Sequence, residues 1–327
     1  MTILSNTNPS VRRRLGKTDL QIGPLVLGGN VFGWTADQAT SFALLDRFID
    51  AGLNAVDTAD VYSVWAPGNQ GGESETIIGR WFKDNARRRE KTLLITKVGA
   101  PFGPDRSGLS AKRIMAAAEE SLRRLQTDRI DLYFSHRPDE KVPVEESLRA
   151  YDTLIRQGKV RAIGASNHSA AQLRQALDAS TAAGLPRYEV LQPEYNLYNR
   201  AGFEGPVRDL AMSESLGVIT YYSLASGFLS GKYRSKDDLG KSVRGGNLGK
   251  YLDARGARIL QALDEVAEAN GAQPAEVALA WLIARDGVTA PIASATSLDQ
   301  IESLIRATQL RLTAQDIELL SAASATT

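Results

Sequence analysis

Asn54-Ala-Val-Asp-Thr-Ala-Asp-Val-Tyr62 is the stretch on which the fold turns. A short apolar run leads into Asp57, and Tyr62 follows where a loop must have begun. Buried strands read as brief apolar runs, so Asp57 is expected at a strand end. Closed parallel α/β barrels present catalytic groups in this way, each strand delivering its last residues to a loop. Taken alone, the segment suits a capping aspartate and a surface tyrosine equally well. Repetition of the pattern along the chain decides between the two.

Working outward, Arg13–Ile22 holds two short strand-like runs around a Gly-Lys-Thr-Asp turn, a hairpin. Leu25-Val-Leu-Gly-Gly29 reads as a buried strand. Residues 36–51 read as an amphipathic helix with Leu44, Leu45, Phe48 and Ile49 on one face. Further strand-like runs lie near 54–58, 93–98, 131–136, 160–165, 189–193, 217–222 and 290–294, eight with the first. A helix from Ser110 carries Ile114, Ala118, Leu122 and Leu125 on one face, while Ser169 with Gln172 and Ser297 with Gln300 read as capping boxes. Strands alternating with helices imply a parallel sheet, and eight such units imply a (β/α)8 TIM barrel. One barrel domain over 1–327 is expected, with residues 1–11 flexible. An open doubly wound sheet is the alternative, although no Gly-x-Gly-x-x-Gly follows any strand. The stretches 62–72 and 230–253 exceed plain connectors. Each follows a strand, so both belong at the C-terminal face as lids or pocket walls.

Composition narrows the function classes. The 327 residues include 39 Lys and Arg against 38 Asp and Glu, a formal net charge of +1. No basic block is present to follow a phosphate backbone, so nucleic acid is not expected as a partner. The absence of cysteine excludes disulfides, thiolate metal sites and cysteine nucleophiles, and two histidines argue against a multi-histidine metal centre. The first residues lack a basic start followed by an apolar core, and no run approaches a membrane span. The expectation is a cytoplasmic protein with a small-molecule substrate and no membrane partner. Oligomeric state is left open.

The strand ends carry the chemistry. Leu93-Leu-Ile-Thr-Lys97 ends in a lysine, and Asp131-Leu-Tyr-Phe-Ser-His136 ends in a histidine. In a barrel these strands place Asp57, Tyr62, Lys97 and His136 on one rim. Singly, such a lysine is a solvated charge and such a histidine a structural group. As a set they are coherent. Tyrosine ordinarily titrates near 10, too high for efficient proton transfer at neutral pH. A neighbouring ammonium is expected to lower that value, and an aspartate to keep the lysine charged and placed. A neutral histidine can donate to a carbonyl oxygen. No nucleophile belongs to the set, so carbonyl reduction fits better than hydrolysis.

These residues carry a resemblance to the aldo-keto reductase family, running from about Arg14 to about Leu320. The family's Asp–Tyr signature resembles 54–62 followed by Gly72-Glu-Ser-Glu75. Its lysine strand resembles Leu94-Ile-Thr-Lys97, and its histidine strand resembles Asp131-Leu-Tyr-Phe-Ser-His-Arg-Pro-Asp139. The branch suggested is that of bacterial aryl-alcohol-dehydrogenase-like and potassium-channel β-subunit-like proteins. The resemblance implies a catalytic tetrad of Asp57, Tyr62, Lys97 and His136, with Tyr62 as proton donor. It also implies a nicotinamide cofactor lying across the barrel mouth, with NADP(H) favoured and NAD(H) the other possibility. Its implied contacts are Gly29, Asp57, Ser166, Asn167 and Gln192, with Tyr221 stacking on the nicotinamide. The stretch 224–233 would wrap the pyrophosphate through Leu224, Ser226, Gly227, Leu229, Gly231 and Lys232. Ser294, Thr296 and Gln300 would meet the adenosine end.

The departures bear on specificity. Tyr222-Ser-Leu224 stands where Ser-Pro-Leu is common, and Leu304 where an adenine-contacting Asn is frequent. The Arg or Lys often set against a 2′-phosphate is missing from 293–300, with Arg244, Lys241 and Lys250 as candidate substitutes. Trp34, Trp65 and Arg137 are expected to line a substrate pocket, and His168 to cap the following helix. The implied activity is reversible NAD(P)H-dependent reduction of an aldehyde or ketone. Two other classes stay open. One is a nucleotide-binding regulatory module like the channel β-subunits, and the other is a different barrel enzyme such as a phosphosugar isomerase or lyase.

Overall fold

The computed structural model describes residues 11–103 and 105–325. Apart from Val11, the leader expected to be flexible lies outside the described residues. Strands β1 (Arg13–Arg14) and β2 (Gln21–Ile22) pair antiparallel as the hairpin. Eight strands then close a parallel barrel. They are β3 (Val26–Gly28), β4 (Ala55–Asp57), β5 (Leu93–Val98), β6 (Ile130–Ser135), β7 (Val160–Ser166), β8 (Tyr188–Gln192), β9 (Gly217–Thr220) and β10 (Ala290–Ala293), with β10 beside β3. Helices α1 (Gln38–Asp50), α2 (Glu73–Asp84), α3 (Ala86–Lys91), α4 (Ala111–Leu125), α5 (Val144–Arg156) and α6 (Ala170–Ala183) occupy the first connections. The later ones hold α7 (Pro206–Ser213), α8 (Ala254–Asn270), α9 (Pro274–Ile283), α10 (Leu298–Ala307) and α11 (Ala314–Ala323).

Side chains alternate along a strand, so one parity faces the barrel interior and the other faces the helices. Ala55, Leu93, Ile95, Leu132, Phe134, Ala162, Val190, Ile219 and Ile292 form one buried cluster inside the barrel. Asp57, Lys97, His136, Ser166, Gln192, Tyr221 and Ser294 share the parity of these residues on their own strands. They are therefore the next inward positions, at the C-terminal mouth. Leu15, Leu20 and Ile22 of the hairpin join the same cluster from the opposite end, so the barrel has a floor.

Local signals account for most helix starts. Asp37, Ser110, Ser169, Asp253, Ser297 and Thr313 each accept from a first-turn N–H, satisfying a donor that the helix leaves free. Ser169 and Gln172 make the expected capping box. Ser297 and Gln300 do not, because the Gln300 amide oxygen accepts from the Thr296 N–H at 2.9 Å instead. His168 caps nothing. Its Nδ1 lies 2.9 Å from the Ser166 carbonyl, and Ser169 occupies the cap. Strand β9 stops at Thr220, so Tyr221 leaves the ladder through a single bridge with Glu194. No helix among the described residues is long and apolar enough to cross a membrane.

Candidate active site

Asp57 ends β4, Lys97 is the penultimate residue of the adjacent β5, and the two meet inside the barrel with side chains 1% and 0% exposed. The Lys97 ammonium donates at 2.6 Å to Asp57 Oδ2, at 2.8 Å to the Thr58 carbonyl and at 2.8 Å to Tyr62 Oη. An ammonium has three donors, and all three are used. The Tyr62 hydroxyl donates to Asp57 Oδ2 at 3.3 Å, a long bond that leaves its proton weakly held. Gln192 Nε2 donates to the other carboxylate oxygen at 3.0 Å. The His136 ring stands edge-on to the Tyr62 ring with centroids 6.1 Å apart. Asp57, Lys97 and His136 converge as the strand parity requires, and the loop after β4 brings Tyr62 to them.

Burial, and then Asp57, hold the Tyr62 hydroxyl well above its ordinary titration range. This corrects the expectation that Lys97 lowers it: here desolvation and the carboxylate outweigh the ammonium, and Tyr62 stays protonated at neutral pH. Burial lowers the Lys97 value while Asp57 opposes that effect. Burial, with Lys97 and Arg137 nearby, pushes His136 well below its ordinary value, so the imidazole is neutral. Its Nδ1 is buried without a partner. An unpaired lone pair there costs less than an unpaired N–H, so the proton belongs on Nε2.

Above the tetrad lies a cavity of about 1240 Å³ walled by Asp57, Tyr62, Trp65, His136 and Arg137 at its inner end. It continues past Ser166, Asn167, Gln192 and Tyr221, then along Leu224, Ser226, Gly227 and Lys232 to Ser294, Thr296 and Gln300. Single drug-sized ligands occupy about 300–1,000 Å³, so this cavity has room for an extended dinucleotide beside a small substrate. Ser226 (φ 59°) and Gly227 (φ 103°) break the 3-10 turn 225–230, with Tyr222 (φ 51°) and Ala225 (φ 47°) also left-handed just before them, and the backbone bends along the wall. Lys232 has no carboxylate partner among the described residues, and its ammonium lies over the Tyr233 ring.

Several expected contacts stand elsewhere. Gly29 is not on the wall: its N–H donates to the Asp57 carbonyl, and a Cβ there would meet Ser74 Oγ at 2.9 Å. The neighbouring Gly28 lines the cavity. Leu229 is wholly buried in the core, and Gly231 packs against Arg234 and Pro274. Trp34 stands behind the wall, 5.8 Å from the Trp65 ring, with the Arg244 guanidinium 5.0 Å from its own ring. Ser166 Oγ donates to the Gln192 carbonyl, and the Asn167 amide bridges His136 O and Tyr221 Oη. Both are thus held by protein, while Gln192 keeps its amide oxygen for the cavity. Of the three cations named for a 2′-phosphate, only Arg244 lines the cavity. Lys241 pairs with Asp238, and Lys250 lies over Tyr251. Asn30, Tyr222, Ser230, Gln273 and Arg306 also line it. They lie in loops or on helix flanks, where no periodicity marks them. Arg306 is held by Glu276 at 2.7 Å. No group of three or more acids and histidines among the described residues is placed to hold a metal.

Comparison with known proteins matches residues 24–325 to the model of the aldo/keto reductase family. The uncharacterized oxidoreductase YrpG of Bacillus subtilis is 35% identical over 315 residues, 94% of each chain. A probable voltage-gated potassium channel subunit beta of rice is 33% identical over 306 residues, 90% of each. The L-glyceraldehyde 3-phosphate reductase of Escherichia coli is 30% identical over 306 residues, 90% of this chain and 86% of the relative. With a barrel whose mouth gathers Asp57, Tyr62, Lys97 and His136 beneath a dinucleotide-sized cavity, the chain belongs to the aldo/keto reductase family.

Proposed function

We propose that this protein reduces an aldehyde or ketone to the alcohol, reversibly, with Tyr62 delivering the proton. The observation that carries this reading is the Lys97 ammonium bound at once to Asp57 and Tyr62 beside a neutral His136. The Tyr62 O–H exchanges its long bond to Asp57 for one to the carbonyl oxygen. His136 Nε2–H supplies a second donor to that oxygen. As Tyr62 loses its proton, Lys97 stabilises the phenolate, and Asp57 holds Lys97 in place. A reduced nicotinamide, when bound, supplies the hydride.

The lining residues fit such a cofactor. Tyr221 offers a ring fixed through Asn167, Gln192 an amide oxygen, and Lys232 a free cation beside the kinked turn. NADP(H) is the favoured form, because Arg244 is a cavity cation with no carboxylate partner among the described residues and one buried, unpaired nitrogen. NAD(H) is the other candidate, since Arg306 at the far end is already neutralised by Glu276. The substrate rests against Trp65 and Tyr222. Arg137, also without a carboxylate partner there, suits a carbonyl compound with an anionic group, as the name of the E. coli relative suggests.

Titration with NADPH and NADH, read by quenching of the four tryptophans, tests the cofactor. Tyr62→Phe should then bind nucleotide as before and lose turnover by roughly 10²–10⁴-fold. Normal turnover in that variant removes Tyr62 from the chemistry. Tight nucleotide binding with negligible turnover on any carbonyl would favour the regulatory reading that the channel-subunit relatives raise.

A further inference from the structure

Behind Lys97, on the side away from the cavity, the barrel wall is built from charge. Asp60 lies between Asp57 and Tyr62 in sequence, and its Oδ2 accepts from Arg113 Nη2 of α4 at 2.9 Å, with side chains 0% and 9% exposed. Glu75 of α2, also fully buried, accepts from Thr96 Oγ1 at 2.6 Å and from Arg124 Nε of α4 at 2.7 Å. Glu120 reaches both arginines, at 3.6 and 3.9 Å. The Asp60 N–H donates to the Lys97 carbonyl at 3.3 Å. The buried acids Asp57, Asp60 and Glu75 thus stand against Lys97, Arg113 and Arg124, with the partly exposed Glu120 at the edge of the network.

The charged and titratable groups around Asp60 are Arg113, Glu120 and Arg124 from α4, Glu75 from α2, Lys97 from β5, Tyr133 from β6 and Tyr151 from α5. Asp60 Oδ1, Arg113 Nε and the Tyr133 hydroxyl are all buried without partners. Burial and the charge of Glu75 push the Asp60 carboxyl up to about 7, against the two arginines. Loss of water opposes ionisation of a carboxylate so placed, and the neighbouring cations are what offset that loss.

We propose that Asp60, held by Arg113, is a positioning residue for the proton-donating pair Lys97–Tyr62. It ties the loop that carries Tyr62 to α4, and its charge adds to the field that keeps Lys97 an ammonium. The proposal rests on the assignment of Lys97 and Tyr62 as that pair. None of the residues Asp60, Glu75, Arg113 and Arg124 lines the cavity, so the action is through Lys97 and not on the substrate.

The test is the pH dependence of carbonyl reduction at saturating cofactor in wild type, Asp60→Asn, Arg113→Met and the double variant, each first checked for nucleotide binding. Activity falls at high pH as Lys97, whose value burial lowers, loses its proton and with it the placed charge beside Tyr62. Asp60→Asn removes a negative charge, leaves Arg113 with only the longer contact to Glu120 and moves that limb down by about half a pH unit or more. The double variant removes both charges and returns the limb toward wild type, although the anchor to α4 is still missing. A merely structural role predicts lowered kcat in both with the limb in place, and that result overturns the proposal. Should Asp60→Asn fail to fold, Arg113→Met and the double variant decide. A limb above wild type in Arg113→Met that falls back toward wild type in the double variant supports the proposal, and a limb at or below wild type in Arg113→Met refutes it. Lys97→Met checks the underlying assignment separately: if it leaves the limb untouched, the reading of Lys97 fails and not the role of Asp60.

Discussion

Replacing Asp57 with Asn keeps the volume at the barrel mouth and deletes the charge that accompanies Lys97. The ammonium has no exposed surface and sits 2.6 Å from that carboxylate, so nothing from solvent can replace it. Removing one member of a buried ion pair destabilises a protein by about 3–5 kcal/mol. For a chain of this size, that is a fall in Tm on the order of 10 °C. The sign of the pH dependence follows from Lys97. Burial already lowers its value, and Asp57 is the main group opposing that effect. In the variant the folded-state value drops further, while in the unfolded chain it stays near 10.4 as a rough reference. A native lysine that binds fewer protons than the unfolded one makes stability rise with pH across that window, by at most about 1.4 kcal/mol per unit. Thermal unfolding of wild type and Asp57→Asn should therefore show a large deficit at pH 7 that shrinks by pH 9.5. A deficit equal at both pH values, or none, would refute a buried, charged Lys97 held by Asp57. Reduction should be lost at every pH, since the phenolate formed at Tyr62 loses its placed ammonium.

Other outcomes are open to direct measurement. The two histidines are the only imidazoles in the chain, and burial lowers both, so neither resonance should titrate by NMR near 6.5, where free imidazole does. A normal titration of His136 would contradict the neutral donor proposed for it. Gly164→Ala places a Cβ 2.4 Å from the Phe134 ring inside the barrel and should destabilise by about 1–3 kcal/mol, measured by urea unfolding, because neither strand can give way. Arg137→Met should raise KM for 4-carboxybenzaldehyde roughly fivefold and leave its methyl ester unchanged. Equal effects on acid and ester would remove Arg137 as an anion partner.

Much of this molecule is legible along the chain because the decisive signals are local. Each strand is a short apolar run, and its inward parity is set by the buried residues before its end: Leu93 and Ile95 announce Lys97, and Leu132 and Phe134 announce His136. Ser169 and Gln172 fix a helix start through contacts three residues apart. The same locality explains the misses. Leu229 and Gly231 lie in the stretch expected to wrap a pyrophosphate, but the kink at Ser226 and Gly227 turns them toward the core and Pro274. Trp34 looked like a wall residue, and the packing of Trp65 and Arg244 against it moves it one layer back. Helix α9 is buried on nearly all sides, so it carries no amphipathic stripe to read.

The sequence by itself determined the barrel, the order of its strands and which residue each strand delivers to the mouth, because side-chain alternation is a property of consecutive residues. Only the tertiary structure decided what surrounds those residues. Arg113 is 53 positions from Asp60 and Arg124 is 49 from Glu75, and no spacing in the chain announces either pair. The protonation of Tyr62, the neutrality of His136 and the unmet charge of Arg244 depend on how much water the packing excludes, a quantity set by the whole fold and not by any stretch of it.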